Sequence, residues 1–97
     1  MRSAFHPEAL AEFDEAIDFD DLESQGLGNR FEEYVQLAVT EIEESPRSWP
    51  IYEEGIRQHL VSVFPYAILY QEVYDYVLIL AVMHTSRDPD YWKRRLN

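Results

Sequence analysis

The chain has 97 residues, enough for one domain, 1–97, with a single core. Its 46% hydrophobic and 14% aromatic content argue against disorder. With no cysteine, a disulfide framework, a thiolate nucleophile and every cysteine-based zinc pattern are excluded. A net charge of −11 opposes contact with a phosphate backbone over most of the surface, so direct DNA binding is not expected.

That charge is unevenly spread. Residues 1–56 carry 15 acids and 3 bases, whereas residues 57–97 carry 4 acids and 5 bases. Any anion site therefore belongs to the C-terminal part. The acid-rich half reads as a solvated face or as a surface that receives a basic partner. The longest apolar run, Val77 to Met83, is seven residues, far below the ~20 needed to span a bilayer. No apolar signal core follows Met1, and a soluble cytoplasmic protein is the expectation.

In chain order, Ser3-Ala4-Phe5 suits an edge strand. His6-Pro7-Glu8 then opens a helix, with Pro7 at the first helical position, where its fixed φ helps and its missing donor costs nothing. Leu10, Phe13 and Ile17, with Ala9 and Ala16 beside them, predict its apolar face. The other face carries Glu8, Glu12, Asp14, Glu15, Asp18 and Asp21. Like charges four apart oppose the helix, and no lysine lies between them, so it needs tertiary support. Gln25-Gly26-Leu27-Gly28 breaks the helix, with Gly26 or Gly28 suited to a left-handed cap. Asn29 and Glu32 have capping-box spacing, and Phe31, Tyr34, Val35, Ala38 and Ile42 mark a second amphipathic helix that stops at Ser45-Pro46. The two form an antiparallel hairpin.

Residues 47–55 read as a loop. Three β-rich runs follow: Ile56 to Val63, Tyr66 to Val73 and Tyr76 to Thr85, with Phe64-Pro65 and Tyr74-Asp75 between them. The third is nearly all apolar and is expected to be the central strand, buried on both faces. The fold class is α+β: an N-terminal helical hairpin packed on a small, largely antiparallel twisted sheet.

The segment from His84 to Trp92 gathers an imidazole, a guanidinium and a phenol: His84, Arg87 and Tyr91. Histidine moves protons near neutral pH, arginine clamps an oxyanion through its planar fork, and tyrosine donates a hydrogen bond or a proton. Arg57 and His59 alternate with Gln58 on one strand face, which places Arg57 as a candidate neighbour of that segment. Arg57 and Arg87 holding a phosphate while His84 and Tyr91 handle protons would make a metal-independent ribonuclease. The alternative is structural: Arg87 pairing with Asp88 or Asp90, and Tyr91-Trp92 plugging a sheet edge. Asp18, Asp20 and Asp21 lack calcium-loop spacing, and His6, His59 and His84 lack zinc spacing, so no metal or cofactor is expected.

These motifs also carry a resemblance. Phe5-His6-Pro7-Glu8-Ala9, Gly28-Asn29-Arg30-Phe31, Ser45-Pro46, Ile56-Arg57-Gln58-His59-Leu60, Phe64-Pro65-Tyr66-Ala67-Ile68 and Val82 through Trp92 together resemble the RelE/ParE superfamily of toxins from type II toxin–antitoxin systems. The resemblance implies two helices packed against a twisted sheet and a cognate antitoxin as partner. RelE-like members cleave messenger RNA on the ribosome with basic residues and a tyrosine, and ParE-like members are associated with inhibition of DNA gyrase. Arg87 and Tyr91 match the basic and tyrosine positions of the first group. Ala67 stands where RelE-like enzymes often carry arginine, and Glu53-Glu54 stands where a lysine-rich segment is expected, which places the chain nearer the ParE side. The resemblance implies that the antitoxin is the DNA-binding half of the pair. Trp49, Tyr70, Tyr74 and Tyr76 are candidate anchors for it. A non-toxic interaction module is the remaining alternative.

Overall fold

The structure, a computed structural model, describes residues 1–96. In chain order it comprises β1 (Arg2–Phe5), α1 (Pro7–Glu23), α2 (Leu27–Glu44), β2 (Ile51–Glu53), β3 (Ile56–Leu60), β4 (Tyr66–Val73), β5 (Tyr76–His84) and a 3₁₀ turn (Lys93–Arg95). The strands form one sheet in the order β1-β5-β4-β3-β2, antiparallel except where β1 runs parallel to β5. The expected edge strand at Ser3–Phe5 is β1, and the helical hairpin covers one face of the sheet.

The N-terminal cap of α1 is His6, whose Nδ1 accepts from the Glu8 backbone N–H at 3.1 Å, with Pro7 as the first helical residue. The buried face of α1 is Ala9, Phe13, Ala16 and Asp20. Leu10, expected in that face, is instead exposed. The inner face is centred on Ala9, Phe13, Ala16 and Asp20, and Leu10, one residue and about 100° on from Ala9, falls outside it. In α2, Phe31, Val35, Ala38 and Ile42 face the core as expected, and Tyr34 packs at its edge.

Asn29 does not cap α2. The cap is Gly26, whose φ of +85° lies in the left-handed region, and the helix has already begun at Leu27. Gly28 serves a different purpose. A Cβ there would sit 2.5 Å from the Ile17 carbonyl oxygen and 2.7 Å from the Asp21 carboxyl carbon. Its N–H also donates to Asp21 Oδ1 at 2.8 Å, so the two helices meet through bare backbone.

The loop 47–55 contains β2, a three-residue strand too short and too mixed to show a period of two. The strand expected to reach Val63 stops at Leu60, and the chain reverses with Val63 at φ +72°. The Tyr74-Asp75 turn puts Tyr74 at φ +53° with its ring in solvent, which removes it from the core. β5 is flanked by strands on both sides and is buried almost throughout, although the middle position of the sheet belongs to β4. Val77, Ile79 and Val82 face the helices, while Leu80, Ala81 and Met83 face the opposite side. The chain after β5 covers that opposite side with Trp92, which is fully buried and donates from Nε1 to the Pro89 carbonyl at 2.6 Å.

Gly28→Ala is expected to destabilise the fold by about 1–3 kcal/mol, because the neighbour it would meet is backbone and cannot yield. Urea unfolding of Gly28→Ala beside the wild-type chain measures this. An unchanged midpoint would show that the helices separate freely at this point.

Candidate functional site

β1 pairs with β5 only from Tyr76 to Ile79. Beyond that point the outer edge of β5 has no strand beside it among the described residues, and a bulge at Leu80 leaves that residue without a partner on β4. Side chains complete the edge. Arg95 Nη1 donates to the Leu80 carbonyl at 3.0 Å, and the Val82 N–H donates to Glu12 Oε1 at 3.2 Å. Arg95 and Glu12 close the arrangement as a two-pronged pair, Nη1–Oε1 at 2.8 Å and Nη2–Oε2 at 3.2 Å. Their side chains are 4% and 13% exposed, which makes this a buried pair rather than a surface one. Glu8 joins at the rim, taking Arg94 and lying 3.5 Å from Arg95 Nε. The like-charged ladder of α1 is therefore offset by the basic C-terminal segment.

Three of the four residues singled out in the sequence lie around this pair. The Arg87 guanidinium stacks 4.0 Å over the Tyr91 ring, with Nη1 3.9 Å from Glu12. Tyr91 is also faced by Arg95 at 5.0 Å. Burial first, and then the Glu12 carboxylate, push its phenol well above the ordinary tyrosine range. His84 ends β5 exposed to solvent. Its Nδ1 accepts from the Ser86 N–H at 3.1 Å, and its ring meets Tyr66 edge-on at 5.1 Å. A cleft of about 290 Å³ opens between α1 and the end of β5, lined by Glu12, Glu15, Phe19, Tyr66, His84 and Arg87 among others.

Arg57 is not in this cleft. It pairs with Tyr70 across β3 and β4, and Tyr70 pairs with Ile79, so Arg57 sits at the level of Ile79 and two strands away from β5. Its Nη1 donates to the Trp49 carbonyl at 2.7 Å. It does share a face with His59, as the alternation requires; His59 stacks on Trp49 at 3.6 Å and meets Glu41 at 3.0 Å. The cleft thus offers one arginine, already facing Glu12, beside the further carboxylate of Glu15. With Glu12 taken by Arg95, a phosphodiester entering the cleft would find Arg87 offset by Glu15 rather than a cluster of free cations.

The surrounding candidates resolve in the same way. Asp20 turns into the protein, Asp21 bonds Gly28, and Asp18 stays in solvent, so the three aspartates do not converge. Tyr70 is buried, with its hydroxyl donating to the Pro46 carbonyl at 2.6 Å, and is therefore unavailable as a surface anchor. Burial pushes that phenol up to about 12.

A family model for the ParE toxin of type II toxin–antitoxin systems (parDE) matches residues 4–89. The chain belongs to the ParE toxin family. Among solved structures, the chromosomal ParDE toxin–antitoxin system from P. aeruginosa is similar with a TM-score of 0.77 over 87% of this chain and 95% of that chain. The two are 14% identical, a level at which the likeness speaks for the fold. No curated protein matches the chain significantly.

Within this ParE fold, Glu12 and Arg95 are the residues that sequence reasoning missed. A signal for them was present: carboxylates at 8 and 12 with no local base, and a Lys93-Arg94-Arg95 run near the other end. What the sequence does not show is that β1 ends four residues into its pairing and leaves β5 open.

Removing either partner of the buried pair, by Glu12→Gln or Arg95→Met, is expected to cost about 3 kcal/mol, and the double variant less than the sum. Glu8→Gln, at the exposed rim, should stay within about 1 kcal/mol. Urea unfolding of the four variants measures the coupling, and strict additivity would mean the pair does not act as a unit.

Asp20 supplies a pH test. Burial, then Glu23 and Asp21, raise its carboxyl above the ordinary 3.8, against a smaller opposing effect of His84. A raised native value means that stability is lost as pH rises from 3.8 through that value. Asp20→Asn should therefore stabilise the protein at neutral pH, with the gain shrinking towards acid. An equal gain at both ends of a pH series would sink this assignment.

Proposed function

We propose that this ParE-family protein arrests bacterial growth in the cytoplasm by binding a protein target such as DNA gyrase, and that a cognate antitoxin neutralises it. The observation that carries this reading is the fate of its cations. Arg57 lies on β3, apart from Arg87 beyond the end of β5, and Arg87 faces Glu12 and the Tyr91 ring. A ribonuclease of this fold would need several cations free around one phosphate, whereas a binding inhibitor has no such requirement. The net charge of −11 supports the same reading, since it disfavours an RNA-rich target such as the ribosome. Exposed apolar side chains such as Phe19, Leu22 and Tyr74 are available to anchor an antitoxin segment, which would carry the DNA-binding part of the pair.

Inducible expression in bacteria tests the proposal, with growth, plasmid supercoiling and transcript integrity followed in one culture. The expected result is arrest with altered plasmid topology and whole transcripts, relieved by co-expressing the antitoxin. Arrest with cut transcripts would overturn it in favour of a metal-independent ribonuclease and make Arg57, His84, Arg87 and Tyr91 the residues to substitute. Growth unaffected by soluble, folded protein would favour a non-toxic interaction module.

A further inference from the structure

Arg57 occupies an electrostatic position unlike that of the other bases. Among the described residues, only Arg30 and Arg57 make no ion pair, and Arg30 is an exposed residue of α2 whereas Arg57 is half-buried. In a chain with a net charge of −11, a half-buried arginine with no carboxylate at ion-pair distance is unusual. It lines a cavity of about 260 Å³ at the β2 end of the sheet. Ile51 and the Tyr70 ring form apolar walls there, which strengthen any ion pair made inside. Arg47 and Glu72 also line the cavity, but they satisfy each other through two bonds, Nε–Oε1 at 3.1 Å and Nη2–Oε2 at 2.7 Å. The cavity therefore holds one uncompensated positive charge. One guanidinium nitrogen of Arg57 is used by the Trp49 carbonyl, and the rest of the fork remains to accept a ligand.

We propose that this cavity is a carboxylate-binding site that takes an aspartate or glutamate side chain from an extended segment of a polypeptide partner lying along β2. One net positive charge matches one carboxylate. A phosphate dianion would bring a second negative charge against Glu72, which lines the same space. The volume is below the roughly 300–1,000 Å³ of most cofactor and small-molecule sites, so it suits a side chain better than a nucleotide. Among the described residues β2 is the last strand of the sheet, so its outer backbone groups have no strand beside them and can hold the segment that delivers the acid. The site is separate from the cleft at the end of β5 and is independent of the target proposed above.

The test titrates ¹⁵N-labelled protein with the blocked peptide acetyl-Val-Leu-Glu-Leu-Val-amide, with the same peptide carrying glutamine for glutamate, and with inorganic phosphate. Saturable shifts of the Gly55, Ile56, Arg57 and Glu72 amides are expected with the glutamate peptide, and at least about tenfold weaker binding with the glutamine peptide, the size of one charge-assisted bond. Arg57→Gln should remove the response and Arg30→Gln should keep it. Because Arg57 also holds the Trp49 carbonyl, Glu72→Gln is the second variant: it raises the cavity's charge and should tighten the glutamate peptide. Equal binding of both peptides, no saturable shift at these amides, tighter binding of phosphate, or an affinity indifferent to Glu72→Gln would each overturn the proposal.

Discussion

The buried pairing of Glu12 with Arg95 brings α1, β5 and the C-terminal segment together at one point. β1 is too short to cover β5, and an uncovered strand edge leaves backbone donors and acceptors without partners. Instead of a longer strand, the protein uses a carboxylate from α1 and a guanidinium from the C-terminal segment, one taking the Val82 N–H and the other giving to the Leu80 carbonyl. Each charge is costly to bury alone, and each is satisfied only when the helix, the strand and the tail are all in place. The pair therefore links three segments widely separated in sequence.

Several features follow from that link. The C-terminal segment, tied at Arg95, crosses beneath the sheet and buries Trp92 against Leu80, Ala81 and Met83, so β5 is covered on both faces. On the other face α1 lies close enough for Ala9 and Ala16 to be its contact residues. Gly28 then lets α2 approach α1 through backbone. The acidic ladder that weakens α1 as an isolated helix is stabilised by arginines more than eighty positions away.

The same charge arrangement bears on function. A basic cluster for phosphate chemistry requires cations that remain free, and here Arg87, Arg94 and Arg95 all face carboxylates of α1. Arg57 makes no direct ion pair, but it stands towards the other end of the sheet, in a cavity whose one carboxylate, Glu72, is bonded to Arg47. The molecule thus presents two separate polar regions rather than one assembled cationic site.

By itself the sequence determined the two helices, the proline and glycine positions that bound them, the β-rich runs, and an α+β arrangement with β5 buried. These depend on local preference and on hydrophobic periodicity, which residues within a few positions of one another express. The gathering of His84, Arg87 and Tyr91 was legible for the same reason, since they lie within eight residues. Only the tertiary structure decided the orientation of α1, whose inner face is centred on Ala9, Phe13, Ala16 and Asp20 and leaves out Leu10. It also decided that Tyr70 is buried and that Arg57 and Arg87 lie apart, because both follow from strand register. The meeting of Glu12 with Arg95 had the same origin: it is set by where β1 stops, and a partner for an open strand edge can come from any part of the chain that the fold brings there.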